Sequence, residues 1–118
     1  LEVKMATKKF LVSHYQVKLG HGMNATWDGK KIDARGVVAC HGEGNRFIAY
    51  FLNSDSPVPD PVYIPDNNVG AIFLPFQECA PFIDLLRNEK PVYAYLNSAK
   101  PEWNNISTSL EQIGEEET

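Results

Sequence analysis

Cysteine is scarce: Cys40 and Cys79 are the only two in 118 residues. Two are too few for the disulfide framework that staples small secreted domains, so reduced, partly buried thiols are expected. The chain has no C-x-x-C pair, the spacing from which structural zinc sites are usually built. Long apolar runs are missing as well. None approaches the ~18 residues of a membrane-spanning helix, so no membrane partner is expected. Leu1 to Ala6 lack the apolar core of a secretory signal, which makes the cytoplasm the expected compartment. Proline is absent before residue 57, whereas six of the eight glycines fall before that point. The first half therefore reads as strands joined by glycine turns, and the second as loops and stiff connections.

The length suits one domain with one core. Residues 1–5 read as a lead without function, 6–110 as a single globular domain, and 111–118 as an acidic tail expected to be mobile. Charge is divided along the chain. Residues 1–50 hold eight Lys and Arg against four Asp and Glu, and residues 51–118 hold three against eleven. The basic half can attract phosphate, but a chain at −4 overall is not a typical nucleic-acid binder.

Period-2 alternation is the main structural signal. Lys8 to Leu19 reads as one long strand with Leu11, Tyr15, Val17 and Leu19 on one face. Residues 20–31 read as a loop with a turn at Asp28-Gly29. Two β-rich runs, Ile32 to His41 and Arg46 to Asn53, flank Gly42-Glu-Gly-Asn45 and predict a hairpin. Its register stays open: a two-residue turn opposes Cys40 to Phe47, and a three-residue turn opposes it to Arg46. Val62 to Ile64 reads as a short edge strand, Gly70 to Leu74 as a buried one, and Pro91 to Asn97 as a strand with Tyr93 and Tyr95 on one face. Helix is predicted over Gln77 to Asn88, where Cys79, Phe82, Ile83 and Leu86 recur at helical spacing and Pro81 falls in the first turn. The spacing of Trp103, Ile106, Leu110 and Ile113 predicts a short helical turn or a strapped-down tail. The expected fold class is α+β, mainly antiparallel β: a small curled or barrel-like sheet of five to six strands with one main helix at about 77–88.

Few residue constellations point to chemistry. Gly20-His-Gly-Met-Asn-Ala25 fits G-x-G-x-x-A, but Thr-Trp-Asp-Gly-Lys-Lys follows, where a dinucleotide site needs a helix N-terminus. His14, His21, Cys40, His41 and Cys79 lack metal-ligand spacing, and Cys40 and His41, adjacent on a strand, point to opposite faces. Cys79 lies near the start of the predicted helix, where the dipole lowers a thiol pKa, but it also lies on the apolar stripe. No metal or cofactor is expected, and no catalytic residue is singled out.

The residues favour a small non-enzymatic binding or adaptor domain of unknown ligand, acting as a homo-oligomer, with a dimer foremost. Tyr93 and Tyr95 are the candidate self-association residues. One alternative is a single-stranded nucleic-acid-binding β-barrel, in which Lys18, Lys30, Lys31, Arg35 and Arg46 follow phosphates while aromatic rings stack on bases. Another is a small-molecule-binding protein or enzyme using the loop of His21, Asn24 and Trp27 together with Tyr63.

Overall fold

A computed structural model of the protein describes residues 5–53 and 57–110. The chain opens with β1 (Thr7–Leu11), β2 (His14–Trp27), β3 (Lys30–Gly42) and β4 (Asn45–Leu52). The proline-rich stretch then leads through β5 (Val62–Ile64) to β6 (Val69–Pro75). A single 3-10 turn, Phe76–Glu78, runs into helix α1 (Cys79–Asn88), and β7 (Val92–Asn97) and β8 (Asn105–Thr108) complete the described chain. No helix among the described residues is long and apolar enough to cross a membrane.

The α+β class holds, but the strands form two open sheets, neither closed into a barrel. One is β1-β7-β8 and the other β2-β3-β4-β6-β5. Every pairing is antiparallel except β4 with β6, which run parallel. A parallel pair needs a crossover connection, which lies in the stretch between β4 and β6 that also contains β5.

The expected strand from Lys8 to Leu19 is in fact two strands. Phe10 pairs with Ala94 in the small sheet, whereas Tyr15 pairs with Cys40 in the large one. The break falls at Val12-Ser13, whose N–H groups donate to the carbonyls of Val92 and His41, one in each sheet. Alternation alone does not reveal such a change of partner. The expected loop at 20–31 is also corrected: β2 runs on to Trp27 past an irregularity between Leu19 and Met23, leaving only Asp28 and Gly29 as the turn. Both turn residues have positive φ, 50° and 77°, the two-residue geometry that matches strand twist. The same geometry at Glu43 and Gly44 settles the next register, with Cys40 opposite Phe47. Residues 101–110 hold both of the expected features: a short 3-10 turn, Pro101–Trp103, and then strand β8, which straps the segment to β7.

The core lies between the inner faces of the two sheets, closed at one side by α1. Phe10, Ala94 and Leu96 from the small sheet meet Val38, Cys40, Phe47, Ala49 and Phe51 from the large one, with Cys79 and Leu86 from the helix. Pro81 sits in the first turn of α1, where its missing N–H costs no helical bond. A second apolar cluster forms on the outer face of the large sheet: Ile32, Ala34, Tyr50, Leu52, Ala71 and Phe73. That two-faced burial accounts for the continuous apolar run of β4.

Candidate functional site

The second cluster ends in a cleft. The Asp28-Gly29 turn brings Trp27 and Lys30 to the end of the β2–β3 hairpin, and β4 and β6 carry Tyr50 and Phe73 side by side. The Tyr50 and Phe73 rings stack at 5.5 Å, and Trp27 meets Tyr50 edge-on at 6.1 Å. The Trp27 indole Nε1–H donates to the Tyr50 hydroxyl at 3.0 Å. This bond fixes the tilt of the indole and satisfies the one polar atom of a half-buried ring. Opposite Trp27, the segment Pro59 to Tyr63 forms the second wall. The space between is about 290 Å³ and is completed by Ile32, Phe73, Ser98 and Pro101.

The proline wall is tied down from behind. Asn104 is buried, and its side chain links the small sheet to the edge of the large one: Oδ1 accepts from Asn97 N–H at 2.8 Å, and Nδ2 donates to the Val62 carbonyl at 3.0 Å. Asn97 Oδ1 in turn accepts from the N–H groups of Ala99 and Lys100. The cleft is therefore held open by fixed donors and rings, the usual condition for a preformed ligand site.

The polar groups around the cleft suit holding a ligand. Lys30 and Asp28 lie on the hairpin side and Asp60 on the proline side, all exposed. The Ser98 hydroxyl accepts from Ala6 N–H and donates to the Ala6 carbonyl, so it is engaged in joining strand ends. The described lining residues include neither histidine nor cysteine. Both thiols lie in the core instead: burial pushes Cys40 up to about 12 and raises Cys79 as well. At Cys79 burial outweighs the helix dipole, because the side chain faces the core rather than solvent.

Of the four candidate ligand residues, the structure brings Trp27 and Tyr63 together in the cleft. His21 and Asn24 are exposed further back along β2 and do not line it. The candidate phosphate-binding cations are dispersed. Lys18 and Arg46 sit on the outer face of the large sheet, opposite Val37 and His41. Lys30 is at the cleft mouth and Lys31 is exposed beside it. Arg35 lies where the β3–β4 register shifts, with its guanidinium over the Phe76 ring at 4.6 Å. Phe10, Phe47, Tyr50 and Phe51 are all buried, so those rings do not stand beside the cations as a stacking platform. Tyr93 and Tyr95 occupy the solvent face of the small sheet, with Lys9 over the Tyr93 ring at 4.9 Å and Asn97 Nδ2 donating to the Tyr95 hydroxyl. Among the described residues no three His, Cys, Asp or Glu side chains come together in a group that could hold a metal ion.

Sequence reasoning missed Phe73 and Asn104; it weighed Tyr50 only as a base-stacking ring, and Asp60 as a loop aspartate that could line a cleft but is more often a turn former. Only the proline density around Asp60 carried a usable signal, since a stiff segment beside a sheet makes a natural wall. Comparison with family models, with curated proteins and with solved structures finds no match for the chain.

Proposed function

We propose that the protein is a binding domain whose ligand site is the cleft between Trp27 and the Pro59–Tyr63 wall. The observation that carries this reading is the orientation of Trp27 by its hydrogen bond to Tyr50, beside a stacked Tyr50–Phe73 pair, at the mouth of a space of about 290 Å³. That volume, at the low end for ligand pockets, suits a planar apolar molecule of one or two rings. Lys30 and the carboxylates of Asp28 and Asp60 supply a charged rim for a polar substituent. The apolar floor contributes affinity through burial, and the rim contributes orientation.

The test is a binding screen by NMR with indole, benzoate and phenylethylamine as probes. The Trp27 indole N–H signal and the amides of residues 60, 62 and 63 should shift together and saturate. Tyr63→Ala, at a half-buried position, should weaken the effect at least tenfold without unfolding the protein. If all three probes leave these signals unmoved, or shift residues elsewhere and leave these alone, the reading is wrong.

A further inference from the structure

We propose that β2 is the contact strand of a two-fold dimer, pairing antiparallel with β2 of a second copy to join the two large sheets. The argument begins with the sheet edges. Four strands lie at an edge: β1 and β8 in the small sheet, β2 and β5 in the large one. A sheet edge carries unpaired N–H and C=O groups, and proteins usually protect it with brevity, proline or charge. Three of the four are protected in this way. β5 has three residues set between Pro61 and Pro65, β8 has four residues, and β1 has five, including Lys8 and Lys9. β2 has fourteen residues, no proline and one charged side chain, Lys18.

Among the described residues the core also runs out to that edge without a strand beyond it. On the inner face, Cys40 leads from Phe47 to Tyr15, Val38 from Ala49 to Val17, and Gly36 from Phe51 to Leu19. The inner ends of the rows, at Phe47, Ala49 and Phe51, are fully buried; at the edge Val17 is half-buried and its neighbours are exposed, Tyr15 at 38% and Leu19 at 62%. Apolar rows that stop at an open edge are incomplete in one copy and complete in two.

Symmetry then selects the register. A two-fold axis perpendicular to the sheet keeps inner faces on one side, so only residues of like parity can oppose each other. Centring the axis on Lys18 sets two ammonium groups face to face, which is destabilising. Centring it on Gln16 sets Lys18 against His14 and leaves Leu19 opposite Ser13, beyond the start of the strand. Centring it on Val17 opposes Tyr15 to Leu19, Val17 to Val17 and Gln16 to Lys18. All three apolar rows then pass from one core into the next, and each ammonium meets an amide oxygen. The irregularity after Leu19 limits the contact to this segment, on either side of Val17.

Gln16 is exposed on the outer face, so its substitution tests the contact without disturbing either core. Sedimentation from micromolar to millimolar concentration should show a monomer–dimer equilibrium. Gln16→Lys, which places like charges opposite each other twice, should weaken the dimer at least tenfold at low salt. Gln16→Glu should tighten it, and added salt should remove the gain. Val17→Cys should cross-link into a covalent dimer on mild oxidation, since directly opposed Cβ atoms lie about 5 Å apart. A chain that stays monomeric to millimolar concentration overturns the proposal. So does a dimer that is indifferent to both Gln16 variants, or one that Tyr95→Ala abolishes while Gln16→Lys leaves it intact.

Discussion

Gly42→Ala is the most demanding test of how the two sheets are joined. Gly42 ends β3 directly beneath the point where the chain passes from the small sheet to the large one. A methyl group there would collide with the Leu11 carbonyl oxygen and would lie 3.0 Å from the Leu11 carbonyl carbon and 3.1 Å from Phe10 Cδ2. Two of these atoms are backbone and the third belongs to a ring 1% exposed, so none can swing aside. Overpacking of this kind costs about 1–3 kcal/mol. If β1 retreats instead, the bonds from Ser13 N–H and Oγ to the His41 carbonyl and from Leu11 N–H to Glu43 Oε2 are strained, at about 1 kcal/mol each. By either route the expected loss is up to about 3 kcal/mol, a large share of the ~5–15 kcal/mol that holds a domain together. At roughly 4 °C per kcal/mol, Tm should fall by up to about 12 °C. Gly44→Ala is the control. Its φ is +78° but nothing lies within 4 Å of an added methyl, so only the left-handed backbone penalty of about 1–2 kcal/mol applies. Thermal and urea unfolding followed by circular dichroism compare the two. A Gly42→Ala protein that melts within a few degrees of the parent, or above Gly44→Ala, refutes the close sheet crossing.

Leu86→Ala removes the one buried leucine of α1 from the core it shares with Val92 and Leu96, at an expected cost of about 2–5 kcal/mol. Tyr95→Ala, on the solvent face of the small sheet, should cost much less, and urea titrations of both variants rank the two faces directly. Both thiols should resist maleimide in the folded protein and react once it is unfolded, which mass spectrometry reads as two added labels. Burial raises both thiols in the folded state above the ordinary value of 9.0, Cys40 to about 12. Their contribution to stability is therefore complete below pH 9.0 and is lost as pH rises through the folded values. The urea midpoint of the parent should fall over that range, and Cys40→Ala should flatten the decline. The acidic segment 111–118, expected from its composition to be dispensable for folding, lies outside the described residues.

The sequence by itself determined the local conformations. Alternation located the β3–β4 hairpin, and spacing located α1 to within a residue or two, because pleat and helix impose their periods on whichever residues face a core. Pro81 and Pro91 bracket the helix for reasons that hold in any fold. Partnership between elements is different, since it depends on contacts distant in sequence. Phe10, Val12 and Ser13 interrupt the alternation at that point, but an interruption does not reveal a change of sheet, and only the positions of β3 and β7 separate the two halves. The parallel pairing of β4 with β6 likewise joins strands that nothing in either stretch marks as partners. Trp27 looked like a loop aromatic because Gly20, Gly22 and Gly29 punctuate its surroundings, yet the hairpin continues and delivers it to Tyr50. The cleft exists only where that hairpin end, the β4–β6 pair and the Asn104-anchored proline wall meet. Those three elements are brought together by burying two faces of one sheet, a constraint that no single stretch of sequence contains.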